Sequence, residues 1–183
     1  MPPREHARCI VRPVVTVALA ILLVFAGMPT HAQTCVANVQ PRTPTANFVI
    51  SGNGTVTDRT TGLIWDQCVW GNSGSACAQG AAATMTWQSA LGLAATANGA
   101  VYKGYSDWRL PNVKELLSIV DTCRASPSIN GQSFPNTISN FFWSGSPDAS
   151  SSDFAWIVAF TVGYSNIRFR NDVNYVRLVR IGR

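Results

Sequence analysis

Large apolar residues alternate with smaller ones from Phe154 to Phe160: Phe154, Trp156, Val158 and Phe160 share one parity, and Ala155, Ile157 and Ala159 the other. Period two with both parities apolar predicts a mostly buried central strand. Phe142-Trp143-Ser144 is expected as a strand before it, ending at the polar loop Gly145 to Asp153. Ile167-Arg168-Phe169-Arg170, a turn at Asn171-Asp172 and the run Tyr175 to Arg180 then complete an antiparallel meander. Nearer the N-terminus, Phe48-Val49-Ile50, the turn Ser51-Gly52-Asn53-Gly54 and Thr55-Val56-Thr57 read as a β-hairpin. Asp58 to Gly62 supplies a tight turn into Leu63-Ile64-Trp65.

Between these strand regions the period lengthens. Thr86 is placed as the N-cap of a helix whose inner side holds Trp87, Ala90, Leu91 and Ala94, ending near Asn98-Gly99. Leu110-Pro111 opens a second helix, with Pro111 in the first turn and Val113, Leu116, Leu117 and Val120 on the apolar face. The expected fold class is α+β: an N-terminal β-hairpin, two short amphipathic helices and a C-terminal antiparallel sheet.

The first 32 residues do not belong to that pattern. Arg4, Arg8 and Arg12 precede the apolar run Val14 to Phe25, and Thr30-His31-Ala32 resembles a cleavage site, so 1–32 reads as a secretory signal peptide. Residues 33–47, with prolines at 41 and 44, are an extended lead-in, and the domain is expected over 48–183. No second run is long enough to span a bilayer, so no transmembrane segment is expected after cleavage.

Composition changes the picture once the signal is set aside. The chain has 183 residues, a formal net charge of +5 and 13% charged residues, about half the quarter usual for soluble chains. Removing 1–32 takes away three Arg, one Glu and both histidines, leaving 11 Lys plus Arg against 8 Asp plus Glu. Without imidazole, histidine-based zinc sites and Ser-His-Asp or Cys-His catalysis are excluded. Glu115 is then the sole glutamate, and neither Asp107 nor Asp121 is spaced from it as a distinctive acid–base pair. No enzyme activity, metal or cofactor is expected.

Four cysteines remain, Cys35, Cys68, Cys77 and Cys123, an even number suited to an oxidising compartment. Three pairings are open. Cys68 and Cys77 flank a short Gly/Ser-rich segment that a bridge can close, which favours Cys68–Cys77 and with it Cys35–Cys123.

The aromatic and charged residues have structural and functional readings. Trp65, Trp87, Trp108, Trp143 and Trp156 are read as core in preference to a sugar platform. Arg109 is expected to pair with Glu115 or with Asp107 near the start of the second helix. The basic C-terminus is the strongest functional candidate, because Arg168, Arg170, Arg177, Arg180 and Arg183 crowd into 16 residues. In a strand, Arg168 and Arg170 share a face opposite Ile167 and Phe169, with guanidinium forks toward solvent that suit sulfate, carboxylate or phosphate oxygens. The competing expectation is a solvated strand face with Arg177 and Arg180 paired internally. Nucleic acid is not an expected partner of a secreted chain with so small a net charge and no recognised nucleic-acid module.

Several segments together resemble the Lcl C-terminal domain family: Gly54-Thr55-Val56-Thr57-Asp58 with Thr61-Gly62-Leu63-Ile64-Trp65, Thr86 to Leu91, and above all Asp107-Trp108-Arg109-Leu110-Pro111-Asn112-Val113-Lys114-Glu115-Leu116. Phe142-Trp143-Ser144 and the closing Tyr175-Val176-Arg177 with Val179-Arg180 continue the order. The resemblance implies a bacterial extracytoplasmic domain whose framework uses Gly62, Trp65, Trp87, Asp107, Trp108, Arg109, Pro111, Glu115 and Trp143. It also implies a weaker likeness to C-type-lectin-like and formylglycine-generating-enzyme-like folds, although the calcium-lectin signatures and the copper-binding cysteine pair are missing. The family's founding member is part of a trimeric collagen-like adhesin that binds sulfated glycosaminoglycans. No collagen-like repeat stands here, so a homo-oligomer is left open. The resulting expectation is a secreted, periplasmic or cell-surface adhesive module binding anionic polysaccharide through Arg168, Arg170, Arg177 and Arg180 and the polar loops 71–80 and 145–153. A structural domain that contacts another cell-envelope protein is the alternative.

Overall fold

The computed structural model describes residues 34–182, so the signal peptide reading and Arg183 lie outside the described residues. Three short strands open the fold: β1 (Phe48–Ser51), β2 (Thr55–Asp58) and β3 (Leu63–Asp66). They pair as an antiparallel meander in the order predicted from the turns between them. The Asp58–Gly62 turn works as its residues suggest. Asp58 accepts from Thr60 N and Thr61 Oγ1, and Gly62 takes the positive φ of 72°.

The Cys68–Cys77 loop carries the two-residue strand β4 (Asn72–Ser73), which pairs with β5 (Gln79–Gly80) just past Cys77, and β6 (Thr84–Met85) follows. Helix α1 (Trp87–Gly99) starts at Thr86, whose hydroxyl accepts from Ser89 N. Its fully buried stripe is Trp87, Ala90, Leu93 and Ala97, whereas Leu91 and Ala94 are half-buried at the flank. The Trp87 indole, donating to Ser144 O at 2.8 Å, fixes the start of the helix against the sheet.

Helix α2 (Val113–Ser118) corrects a second expectation, since Pro111 lies before the helix and Asn112 is the N-cap. Asn112 Oδ1 accepts from Glu115 N, and Glu115 Oε2 accepts from Asn112 N at 2.8 Å, a reciprocal pair that Pro111 has no donor to make.

The remaining strands are β7 (Phe141–Pro147), β8 (Phe154–Ala159), β9 (Tyr164–Phe169), β10 (Asn174–Tyr175) and β11 (Val179–Ile181). They do not form one meander. The second sheet runs β6-β10-β7-β8-β9, with β10 parallel to β7, and β11 leaves it to pair antiparallel with β3. The end of the described chain thus completes the first sheet. Strand β7 also continues past Ser144, through an irregular register, to Pro147.

The second sheet is covered on both faces. Trp143, Ala155, Ile157 and Ala159 meet α1, while Phe142 and Val158 meet Leu116 of α2 and a core shared with Val56, Trp65 and Val179 of the first sheet. On β8 the smaller-residue parity is wholly buried, and Phe154 and Trp156 are only half-buried. The observed class is α+β with antiparallel and mixed sheets and the disulfides Cys35–Cys123 and Cys68–Cys77. Among the described residues no helix is long and apolar enough to cross a membrane.

Candidate functional site

The four candidate arginines fall into two environments. Arg168 and Arg170 lie on and just beyond β9, an edge strand paired on one side with β8. Arg168 pairs with Ala155 of β8 and so shares that residue's α1-facing side, stacking 4.3 Å over the Phe141 ring. Arg170 stacks 4.3 Å over Trp87, and its Nε donates to Phe154 O. Stacking occupies the flat face of a guanidinium and leaves its in-plane N–H groups for acceptors. Among the described residues no carboxylate lies within salt-bridge reach of either arginine. Beside them opens a shallow depression of about 490 Å³, lined by Phe141, Arg168, Asn171, Asp172, Val173 and Asn174. Asn174 is 5% exposed, and its buried Nδ2 has no hydrogen-bond partner.

Arg177 and Arg180 do not join this face. Arg177 is fully buried over the Phe134 ring and donates to Asp66 O, Gln67 O and Thr137 Oγ1. Its segment crosses from β10 to β11 and is held to the first sheet by Trp70 N donating to Val176 O and Asp66 N to Leu178 O. Arg180 is closed by a fork on Asp107, Nε to Oδ1 at 2.6 Å and Nη2 to Oδ2 at 3.1 Å, beneath stacking on Tyr105. The four arginines therefore do not share one face: Arg168 and Arg170 lie at the β9 edge, and the sheet crossing draws Arg177 and Arg180 inward.

The framework residues converge around the same crossing. Arg109 forks onto both Glu115 oxygens, at 2.6 and 2.7 Å, so Asp107 is left to Arg180. Burial pushes the Glu115 carboxyl up, but the Arg109 hydrogen bonds, the Asn112 N–H and the guanidinium charge outweigh it and hold the carboxyl below its usual range. Arg109 N and O exchange bonds with Val179, which seats this corner against β11. Trp108 is buried, its indole donates to Tyr102 O, and Asn98 brackets its backbone. Trp143 donates to Met85 O, and Trp65 is wholly buried. Trp156 is the one of the five tryptophans read as core that is only half-buried.

The Lcl C-terminal domain family model matches residues 54–180. This chain belongs to that family. No curated protein matches it. Lcl C-terminal domains are extracytoplasmic, and the two disulfides fit an oxidising compartment. In this Lcl C-terminal domain the family-like Asp107–Leu116 segment is the corner that anchors β11, with Asp107, Arg109 and Glu115 all engaged in ion pairs.

Sequence reasoning missed three polar residues that the fold makes central. Asp66 is buried against Lys103, with Oδ1 and Nζ 2.6 Å apart. Asp121 is buried and gathers Arg42 N, Cys123 N and Arg124 Nε, which ties the lead-in to the body next to Cys35–Cys123. A lone Asp at a strand end and a lone Lys after a helix carry no spacing signal, since their partners are distant in sequence.

Proposed function

We propose that this domain is a non-enzymatic, secreted or cell-envelope binding module that takes sulfate or carboxylate groups of an acidic polysaccharide on its Arg168/Arg170 face. The supporting observation is the pair of aromatic-stacked guanidinium groups beside an open depression, with no carboxylate within salt-bridge distance of either among the described residues, Asp172 being the one acid in the lining. Stacking pre-orients each fork, so little rotamer freedom remains to be lost when an oxyanion binds. Loop 145–153 adds polar contacts, and delivery through the 1–32 signal belongs to the same reading.

Retention of the purified protein on sulfated, carboxylated and neutral polysaccharides over a salt series tests it, with Arg168→Ser/Arg170→Ser in parallel. Retention on the two acidic matrices should fall with salt and disappear in the folded double variant, and the polysaccharide should keep its chain length. A second reading, docking to another envelope protein, is favoured by the exposed apolar residues on and around the β9 edge: Val162, Tyr164, Phe169 and Val173. Absence of retention on every matrix selects that reading.

A further inference from the structure

The lead-in and the β2–β3 turn border a cavity of about 160 Å³, with Arg42, Thr43 and Asn47 from the first, Asp58 and Thr60 from the second, and Phe48 adding an apolar surface. Bonds made elsewhere fix this lining. Arg42 N donates to Asp121 Oδ1, Thr43 O accepts from Asn130 Nδ2, and Asn47 O accepts from Arg59 N. Across from them, Asp58 is held by the Thr60 N and Thr61 Oγ1 donors of the turn.

Three groups of the lining lack the partners their chemistry calls for. Thr43 is 5% exposed, and its Oγ1 is buried without a hydrogen-bond partner, a state that buried hydroxyls rarely keep. Asp58 is 3% exposed, its carboxylate accepts only from uncharged donors, and among the described residues no cation lies within salt-bridge reach of it. Burying a carboxylate without a counter-charge is expensive. The guanidinium of Arg42, an exposed residue, makes no hydrogen bond, ion pair or ring contact among the described residues. A cation and a carboxylate thus line one cavity beyond ion-pair distance of each other, so a ligand carrying both charges can meet each of them. The volume equals about five waters at about 30 Å³ each, which restricts that ligand to a handful of non-hydrogen atoms.

We propose that this cavity binds a small zwitterion of the size of a free α-amino acid, with its ammonium on Asp58 and the unpartnered Thr43 Oγ1 and its carboxylate on the Arg42 fork. No residue lines both this cavity and the Arg168 depression, and the inference stands apart from the polysaccharide reading. The test is an amide-resolved NMR titration of the purified protein with L-alanine, propionate and propylammonium as probes. Alanine should shift the Thr43, Asn47 and Thr60 amides saturably, and each singly charged probe should bind about tenfold more weakly or worse. Arg42→Gln should weaken alanine about tenfold and Thr43→Val about fivefold. Both variants should melt as the wild type does, because the groups they replace bond nothing in the protein. Asp58→Asn would disturb the turn as well, so these two side chains carry the test. Arg168→Ser/Arg170→Ser should leave alanine binding unchanged. Absence of saturable shifts at those amides, propionate or propylammonium binding as tightly as alanine, or full alanine affinity in a folded Arg42→Gln or Thr43→Val variant overturns the assignment.

Discussion

Arg168 and Arg170 carry the same guanidinium as Arg177 and Arg180 within a stretch of 13 residues, yet the first pair lies beside a depression that Arg168 lines and the second holds the fold together. The first pair lies along an edge strand, where the neighbours are aromatic faces and open space. The second pair lies where the chain crosses between sheets, and acceptors arrive from far away: Asp66 is 111 positions from Arg177, and Asp107 is 73 from Arg180. Charge density along the sequence thus says little about which cations are available to a ligand. What decides it is whether tertiary closure brings oxygen atoms to them.

That contrast can be broken most severely at Arg177. Arg177→Met should destabilise the domain by about 3 kcal/mol or more, because it takes the guanidinium donors from the buried Asp66 O and Gln67 O and from Thr137 Oγ1, and removes a counter-charge from Asp66. Chemical denaturation checks this, and a midpoint equal to wild type would remove Arg177 from the role of internal anchor. Arg180→Gln should cost less, about 2 kcal/mol, since the Asp107 carboxylate it leaves is partly exposed and can rehydrate. Its melt should resemble that of Asp107→Asn, and the double variant should show non-additivity if the fork is the shared cause.

Glu115→Gln tests the corner itself, with an expected loss of about 1 kcal/mol near neutral pH from the fork and the capping box. Glu115's folded pKa is depressed, so its contribution is present above the unfolded value of about 4.5 and fades as pH falls through the folded one. The stability gap between wild type and Glu115→Gln should accordingly close in acid, and a gap that persists there would argue for packing instead of charge. At the other extreme, Arg168→Ser/Arg170→Ser should change stability by no more than about 0.5 kcal/mol while abolishing salt-sensitive polysaccharide retention. Unfolding of that double variant would erase the distinction between the two arginine pairs.

Much of the architecture could be read locally. The first hairpin and its return strand follow from the Ser51–Gly54 and Asp58–Gly62 turns, and α1 begins at its predicted cap because Thr86 meets Ser89 three residues on. The short Cys68–Cys77 separation identified one disulfide and left Cys35–Cys123 as the other. The Arg109–Glu115 pair was legible for the same reason, since its partners are six residues apart. Pro111 misled because its fixed φ suits a first helical turn, yet Asn112 and Glu115 make a better cap one position later.

The sequence by itself determined the turns, the Thr86 cap of α1, the disulfides and the family of this protein, because each of these depends on groups a few residues apart or on a motif carried whole. Tertiary structure alone decided that β11 joins the first sheet, that Leu93 and Ala97 complete the inner stripe of α1, and that Arg177 is buried while Arg168 has, among the described residues, no carboxylate within salt-bridge reach. Sheet partnership and burial depend on which distant segments close upon one another. A strand's alternation records that it has two faces, and the choice of what covers each is made only when the whole chain packs.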